Sequence, residues 1–454
     1  MTAPENSTPS LYDQLLERDR RRKMFRRRRV VVGGIAAVLV LILGVVGYIG
    51  VTALNFNNNL HRSDVLQGQT SVPKLTQDTN ILIMGLDSRL DEQGKPLPPE
   101  LYDALHAGDD SSGGYNSNVL MLMHIPADGS RATALSIPRD DYVQTAGFDG
   151  AGFKAKIKEA YGYGFAARKT ALINAGKPDN DETYQAARDA GRQAEIATVT
   201  QFLGSVHIDH FIEVTMAAFY QVAQAVAPIT VCVNKATQDT YSGADFKQGM
   251  QQIDAKQAMA FVRQRRDTTN PSYAFTDLDR ERRQQAFIVS VLHQLKQAGT
   301  LTDLPKMQNV LDAVSKNIVV DSGLNLIEFG QQATSLSGGN VSFTTLPITG
   351  FGTSPDGASI NTVDVKQVQQ VVKDLLSPAH ASTPATASGP ATAPSSAGQG
   401  GAAPASADPG SPGYPSGGGA AGGNSAPTAP ATTPPASYSD WSGSLQGGGI
   451  PCVK

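Results

Sequence analysis

Short apolar runs alternate with helical repeats along the middle of this chain. Residues Asn80–Gly85, 119–125 and 131–137 are strand-like runs rich in aliphatic residues and followed by turn residues. Helical periodicity appears between these runs and later ones, for example in the apolar stripe over 196–203. Continuous apolar strands are typical of a sheet that is covered on both faces. The pattern therefore predicts an α/β fold with a central mixed β-sheet between helical layers.

A different pattern marks the N-terminal region. Residues Val30–Gly50 carry no charge over about the 20 residues that a bilayer core requires. Nine basic residues lie between Arg18 and Arg29, directly before this run. The positive-inside rule predicts a cytoplasmic basic arm over 1–29, a single transmembrane helix over 30–50 and an extracytoplasmic remainder. The alternative is a cleaved signal peptide, whose apolar region would be shorter, at about 7–15 residues.

Composition divides the remainder of the chain. A polar stem over 51–77 precedes a predicted folded domain over 78–377. Residues 378–449 are dominated by Ala, Pro, Gly, Ser and Thr and contain no Lys or Arg. Such a segment buries too little apolar surface to fold, which predicts a flexible linker. A short tail over 450–454 follows it.

The chain has two cysteines, Cys232 in a strand-like run and Cys452 in the tail. Both lie on the predicted outer side of the membrane, where an oxidising environment permits a disulfide. Two cysteines allow only one intramolecular pair, so we expect a bond between Cys232 and Cys452. Two unpaired thiols are the alternative.

The net charge of −3 hides an uneven distribution. Beyond the basic arm, 37 acidic residues outnumber 29 basic ones. General attraction to nucleic acid needs a basic face over a whole domain, so a nucleic-acid regulator is disfavoured and any anion site must be local. The chain also lacks a Walker-type phosphate loop, a G-x-S-x-G elbow and an H-E-x-x-H motif.

Six arginines cluster in "FVRQRRDTTNPSYAFTDLDRERRQQ", residues 261–285. N-cap side chains near Thr276–Asp279 predict a helix start, and helical spacing places Arg280 and Arg283 on or beside its inward face. Arginine near a helix N-terminus opposes the helix dipole, and an anion there would reverse that cost. The alternative is internal compensation by nearby aspartates. Arg263 and Arg265 end the preceding helix, where a second alternative is simple pairing with the C-terminal dipole.

Further charged residues follow predicted strands, where open α/β sheets place ligands. Arg139 follows one strand, Asp87 follows another, and Lys156 and Lys158 lie shortly downstream. A carboxylate surrounded by arginines is typical of a divalent metal beside a phosphate or pyrophosphate. These residues thus favour a phosphate-transfer site with a hard cation.

Five segments, in order, resemble the signature motifs of the LytR-CpsA-Psr family: "NILIMGLDSR", "SIPRDDYV", "KIKEAY", "AFVRQRR" and "DLDRERRQQ". The resemblance, which suggests the actinobacterial branch, implies a phosphotransferase that moves a glycopolymer from a polyprenyl pyrophosphate carrier to peptidoglycan. The polymer would be arabinogalactan or teichoic-acid-like, and a hydrophobic cavity would hold the lipid. The implied cofactor is Mg²⁺, or Mn²⁺, between acidic residues and the pyrophosphate. The implied partners are the lipid-linked glycan, peptidoglycan and the membrane, and not nucleic acid.

The resemblance also assigns roles by position. It implies metal ligands at Asp87 and at Asn118, where the family has aspartate and this chain offers only a neutral carbonyl. The implied catalytic residues are Asp87, Arg139, Arg263, Arg265, Arg280 and Arg283, and the implied substrate-binding residues are Lys156, Asp277 and Gln284.

Two other functions remain open on the same residues. A polyprenyl pyrophosphate phosphatase would use the same site without an acceptor. A non-catalytic protein that binds the lipid carrier is the second, and Asn118 favours it because the exchange removes a charge from the metal site.

Overall fold

The computed structural model divides the chain into residues 1–58 and 59–454, and every described residue belongs to the second unit. The predicted arm and transmembrane helix lie outside the described residues, and so do most of the stem and most of the linker. Within the part that is described, no helix is long and apolar enough to span a bilayer. The structure describes residues 61–66, 78–109, 114–128, 130–147, 152–297, 318–324, 341–377, 443–446 and 449–454.

Strands and helices alternate through these residues. The strands are β1 (His61–Ser63), β2 (Thr79–Leu86), β3 (Ser117–Ile125), β4 (Ala132–Ser136), β5 (Tyr142–Gln144), β6 (Lys154–Lys156), β7 (His210–Val214), β8 (Ile229–Val233), β9 (Thr237–Asp239), β10 (Ala244–Phe246), β11 (Gly249–Ile253), β12 (Ile318–Asp321), β13 (Val341–Thr345), β14 (Gly350–Thr353), β15 (Ser359–Thr362), β16 (Leu445–Gln446) and β17 (Cys452–Val453). The helices are α1 (Pro99–Leu105), α2 (Ala160–Asn174), α3 (Asp181–Phe202), α4 (Met216–Val226), α5 (Ala255–Arg263), α6 (Asp277–Gln297) and α7 (Val365–Leu375).

Eight strands form the central sheet, in the order β1-β12-β7-β2-β3-β4-β13-β16. The pairs β1–β12, β2–β7 and β4–β13 are parallel, and the other neighbours are antiparallel. The sheet is therefore mixed, which confirms the predicted α/β class. β3 is buried at seven of its nine residues and β2 at four of its eight, and no residue of either strand is fully exposed, in line with their continuous apolar runs.

Helices cover both faces of this sheet. On one face, Val199 of α3 and Val368 of α7 pack into the apolar cluster that includes Leu135 of β4. On the other face, Gln285 of α6 donates to Ser136 Oγ at 2.8 Å. Successive residues of a strand point to opposite faces, so α6 lies across the sheet from α3 and α7.

The tail docks onto the domain at two places. β17 pairs in parallel with β8, and Cys452 is bonded to Cys232 as expected from the sequence. Upstream, β16 pairs with β13, and Leu445 is buried there. The predicted linker over 378–449 therefore ends too late. The low-complexity composition of this segment gave no sign that Leu445 buries its side chain and pairs with β13.

We predict that Cys232→Ser destabilises the domain by about 2–5 kcal/mol, because the bond closes a loop between residues 220 apart. Urea unfolding followed by circular dichroism measures this loss. Dithiothreitol should lower the midpoint of the parent protein and leave that of the Cys232→Ser/Cys452→Ser double variant unchanged. Equal midpoints for parent and variant under oxidising conditions would contradict the prediction.

Candidate active site

Three strand ends bring the predicted polar residues to one edge of the central sheet. β2 runs antiparallel to β3, and β3 runs antiparallel to β4. The end of β2, the start of β3 and the end of β4 therefore meet at the same edge. Asp87 follows β2, Asn118 is the second residue of β3, and Arg139 lies three residues after β4. Sequence positions 52 residues apart thus become neighbours because of the strand order.

The helix α6 begins over this edge. Asp279 Oδ2 accepts hydrogen bonds from the main-chain N–H of Thr276 at 2.7 Å and from its hydroxyl at 2.9 Å. Thr276 Oγ1 in turn accepts from the N–H of Asp279 at 3.3 Å. This reciprocal cap agrees with the predicted helix start. It also makes Asp279 a capping residue and leaves Asp277, in the first turn, to face the strand ends.

Asp277 is the centre of the site. Arg139 makes a bidentate pair with its carboxylate, from Nε to Oδ2 at 2.9 Å and from Nη2 to Oδ1 at 3.1 Å. Arg280 Nη2 donates to Oδ2 at 2.9 Å, and Arg265 Nη1 lies 3.9 Å from Oδ1. One negative charge therefore collects three guanidinium groups. The excess positive charge is what an anionic ligand would neutralise.

The arginines favour the ionised form of Asp277, whereas Arg139 and Arg280 repel each other. Burial by itself raises the pKa of Asp277, but Arg139 and Arg280 outweigh it and hold that pKa well below its usual range. Burial, with Arg139 adding to it, lowers the pKa of Arg280 to about 10. At neutral pH both groups are charged, so the ion pairs are complete. Of the three arginines, Arg265 is the most open, with 32% of its side chain exposed against 6% for Arg139 and for Arg280.

Asn118 lies against these arginines. Its amide Oδ1 accepts a hydrogen bond from Arg139 Nη1, and its main-chain oxygen accepts from Arg280 Nη2 at 3.3 Å. The sequence prediction made Asn118 a metal ligand, but the structure gives its amide oxygen to a guanidinium. A cation at that oxygen would meet the charge of Arg139, so Asn118 does not fit a metal in this arrangement.

Asp87 fits a hard cation better. Its Oδ1 accepts from Arg89 Nη1 at 3.0 Å, and 20% of its side chain is exposed. Mg²⁺ is commonly bound through one or two carboxylates, with substrate phosphates and waters completing the octahedron. Among the residues that the structure describes, no three His, Cys, Asp or Glu side chains group together to hold a metal. A cation at Asp87 would therefore depend on a phosphate ligand.

Arg263 and Gln284 hold neighbouring elements together. Arg263 Nη1 donates to the main-chain oxygens of Leu105 at 2.6 Å and His106 at 3.2 Å, at the end of α1. Burial lowers the pKa of Arg263, and the charge of Asp87 opposes that effect. Gln284 Nε2 donates to the main-chain oxygen of Val262 at 3.3 Å and so links α6 to the end of α5.

The structure does not bring Arg283 into the Asp277 cluster, contrary to the sequence prediction. Arg283 is fully buried; its Nε donates to the main-chain oxygen of Lys454 at 2.6 Å, and Nη2 donates to Thr237 Oγ1 at 3.3 Å. Its guanidinium also lies 4.9 Å from the ring centre of Phe261. Burial lowers the pKa of Arg283 to about 9. Helical spacing predicts the face on which Arg283 begins but not the direction of its long side chain. That side chain turns toward the tail, whose position the sequence did not show.

A lysine–aspartate cluster adjoins Arg139, and the sequence prediction missed its centre. Asp140 Oδ1 lies 2.8 Å from Lys158 Nζ and 4.0 Å from Lys156 Nζ, and Asp140 Oδ2 lies 3.5 Å from Arg139 Nε. Burial opposes ionisation, but Arg139 and Lys158 lower the pKa of Asp140. Lys158 is thus closer to this carboxylate than the predicted Lys156. The signal was the acidic residue directly after Arg139.

Known proteins share sequence similarity with this chain. Over 348 residues the chain is 36% identical to the cell wall biosynthesis protein LcpA of Corynebacterium glutamicum, a match that covers 76% of this chain and 64% of LcpA, less than two thirds of its length. It is 24% identical over 364 residues to the polyisoprenyl-teichoic acid–peptidoglycan teichoic acid transferase TagU of Oceanobacillus iheyensis, covering 78% of this chain and 96% of TagU.

A crystal structure of TagV from B. subtilis overlaps 66% of this chain and 98% of its own, with 19% identity and a TM-score of 0.46. The profile of the LytR_cpsA_psr family matches residues 45–377, which include every residue of the site described above. The chain belongs to the LytR-CpsA-Psr family, as the five sequence motifs indicated.

Proposed function

We propose that this protein transfers a wall glycopolymer from a polyprenyl diphosphate carrier to a hydroxyl of peptidoglycan. The polymer would be arabinogalactan or teichoic-acid-like. The observation that carries the proposal is the convergence of Arg139, Arg265 and Arg280 on the single carboxylate of Asp277. Family membership and the names of relatives such as TagU support the same class of reaction.

The reaction needs positive charge that is already in place. The acceptor oxygen forms a bond to the phosphorus that carries the glycan, and the bond from that phosphorus to the bridging oxygen breaks. Polyprenyl phosphate leaves with the electron pair, and the hydroxyl proton passes to the leaving phosphate or to solvent. Arginine forks match the phosphate oxygens on which negative charge builds up. Since Arg139 and Arg280 are fixed by Asp277 before the donor arrives, little reorganisation is needed.

Asp277 and Asp87 have different parts in this proposal. The two arginines that pair with Asp277 make it a weak base, so its task is to orient them. Asp87, whose Oδ1 lies 3.0 Å from Arg89 Nη1, would hold Mg²⁺ or Mn²⁺ together with the donor phosphates. Such a cation would neutralise charge on the diphosphate as the bond breaks.

The location follows from the same reaction. We propose that residues 30–50 anchor the chain as a single transmembrane helix with a cytoplasmic N-terminus. The catalytic domain would then lie outside the membrane, where peptidoglycan is found and where the disulfide between Cys232 and Cys452 can persist.

A two-arm assay tests the function. Full-length protein is incubated with lipid diphosphate-linked glycan and Mg²⁺, with and without peptidoglycan. The proposal requires glycan joined to peptidoglycan through phosphate, and an equal amount of polyprenyl phosphate. Release of polyprenyl phosphate at the same rate without acceptor would favour the phosphatase. Binding with no turnover in either arm would favour a lipid-carrier-binding protein.

We predict that Arg265→Ala lowers kcat/KM for transfer by about 100-fold, the usual scale for one lost charge-stabilising donor. Arg265 is half-buried and 3.9 Å from Asp277, so its removal should change the unfolding free energy by less than about 1 kcal/mol. Arg266→Ala is the matched control, because the Arg266 guanidinium lies 4.1 Å from the ring centre of Tyr241 instead. Equal losses of activity in both variants would contradict a specific role.

We predict that Asn118→Asp lowers the Mg²⁺ concentration needed for half-maximal turnover by about tenfold, a typical effect of changing a group beside a metal ligand. The new carboxylate adds a negative charge at the start of β3, across from Asp87. Asn180→Asp, which keeps an N-cap side chain at the start of α3, serves as control. A half-saturating Mg²⁺ concentration that stays the same, or rises, in Asn118→Asp would count against a cation at this edge.

A further inference from the structure

Glu281 lies beneath the Asp277 cluster and takes no part in the reaction described above. It is one helical turn beyond Asp277 and one turn before Gln285 on α6. Gln285 Nε2 donates to Ser136 Oγ at 2.8 Å and to Thr345 Oγ1 at 2.9 Å, so this helix face lies against β4 and β13. The side chain of Glu281 is thereby enclosed between the sheet and the arginines, with 4% of the residue exposed.

Polar atoms around Glu281 are left without partners. Neither Oε1 nor Oε2 has a hydrogen-bond partner among the described residues, and neither does Nε of the adjacent Arg280. The unbonded carboxylate oxygens of Glu281 and the unbonded Nε–H of Arg280 therefore belong to successive residues of α6. Buried polar groups in folded proteins are nearly always satisfied, so such an arrangement calls for an explanation.

The groups that face Glu281 come from two elements. Asp277 and Arg280 act on it from α6, and Arg139, Asp140 and Asp141 act on it from the segment after β4. Three of these five groups are acidic. A partnerless carboxylate buried among them would be costly, which favours the protonated form. Consistently, burial, and then the charge of Asp277, raises the pKa of Glu281 to about 8.

We propose that Glu281 is a positioning residue that works uncharged and leaves Arg280 available to the diphosphate. When Glu281 ionises, its proton passes to solvent and the carboxylate attracts the open Nε of Arg280. The guanidinium is then drawn toward the sheet and away from the donor. Glu281 thus sets an upper pH limit for diphosphate binding. This inference rests on the proposed function only in taking the Asp277 cluster as the diphosphate site.

Calorimetric titration of full-length protein with inorganic pyrophosphate tests the proposal. Binding is measured at about pH 6.5 and about pH 9, on either side of the pKa of about 8 for Glu281 and below the pKa of about 10 for Arg280. Pyrophosphate itself ionises over this range, so the comparison is between variants at each pH. We expect the affinity of each protein for pyrophosphate to change between the two pH values. The loss of affinity at the higher pH should be about tenfold larger for the parent than for Glu281→Gln, because the glutamine of that variant cannot ionise. Glu281→Met removes the charge in a second way, in case the amide disturbs packing.

Glu195→Gln is the matched control. Glu195 is also a buried acid whose pKa burial raises to about 8, but it accepts hydrogen bonds from Tyr161 N at 3.0 Å and Ser117 Oγ at 3.2 Å. None of the cluster charges acts on it. Its variant should respond to pH as the parent does.

The outcomes separate this inference from the proposed function. Equal pH responses in the parent, Glu281→Gln and Glu281→Met would overturn the role of Glu281. If the parent bound pyrophosphate at neither pH, the role of Glu281 would be overturned as well, because the cluster would not be the diphosphate site. The expected pH responses without polymer transfer would support Glu281 and reject the transferase.

Discussion

The ion pair between Asp277 and Arg139 is the contact on which the site depends. It joins the first turn of α6 to the segment after β4, across 138 positions of sequence, through two parallel hydrogen bonds. Because the pair is largely buried, removing one partner would leave an uncompensated charge, a change that usually costs several kcal/mol. With the pair intact, the position of α6 against the sheet determines where Arg280 can reach. It also places Asp277 within 3.9 Å of Arg265, which lies just after α5.

The arginines of residues 261–285 then separate according to their partners. Arg265 and Arg280 approach Asp277, whereas Arg263 donates to the end of α1 and Arg283 to Lys454 in the tail. Arg266 lies over Tyr241. The stretch therefore acts as a junction that ties α1, the sheet edge and the docked tail together. Charge for an anion is concentrated at only one of these contacts.

Local signals in the sequence predicted local features well. The cap at Thr276 and the break between α5 and α6 depend on side chains within a few residues, and both are present. The apolar runs predicted the buried strands, and the five motifs identified the family. The sequence did not predict the direction in which the long arginine side chains point. Arg280 and Arg283 are neighbours on one helix, yet their guanidinium groups differ in surroundings because distant segments surround them.

The sequence by itself determined the fold class, the family and several of the residues that meet at the sheet edge, among them Arg139, Asp277 and Arg280. It did so because strand periodicity, helix caps and ordered motifs are short-range properties of the chain. Tertiary structure alone decided that Asp277 gathers the arginines and that Asn118 gives its amide oxygen to Arg139. It also decided that the buried carboxylate of Glu281 has no hydrogen-bond partner among the residues that the structure describes. Those outcomes depend on strand order and on how α6 lies against the sheet, since desolvation and charge pairing are set by residues far apart in sequence.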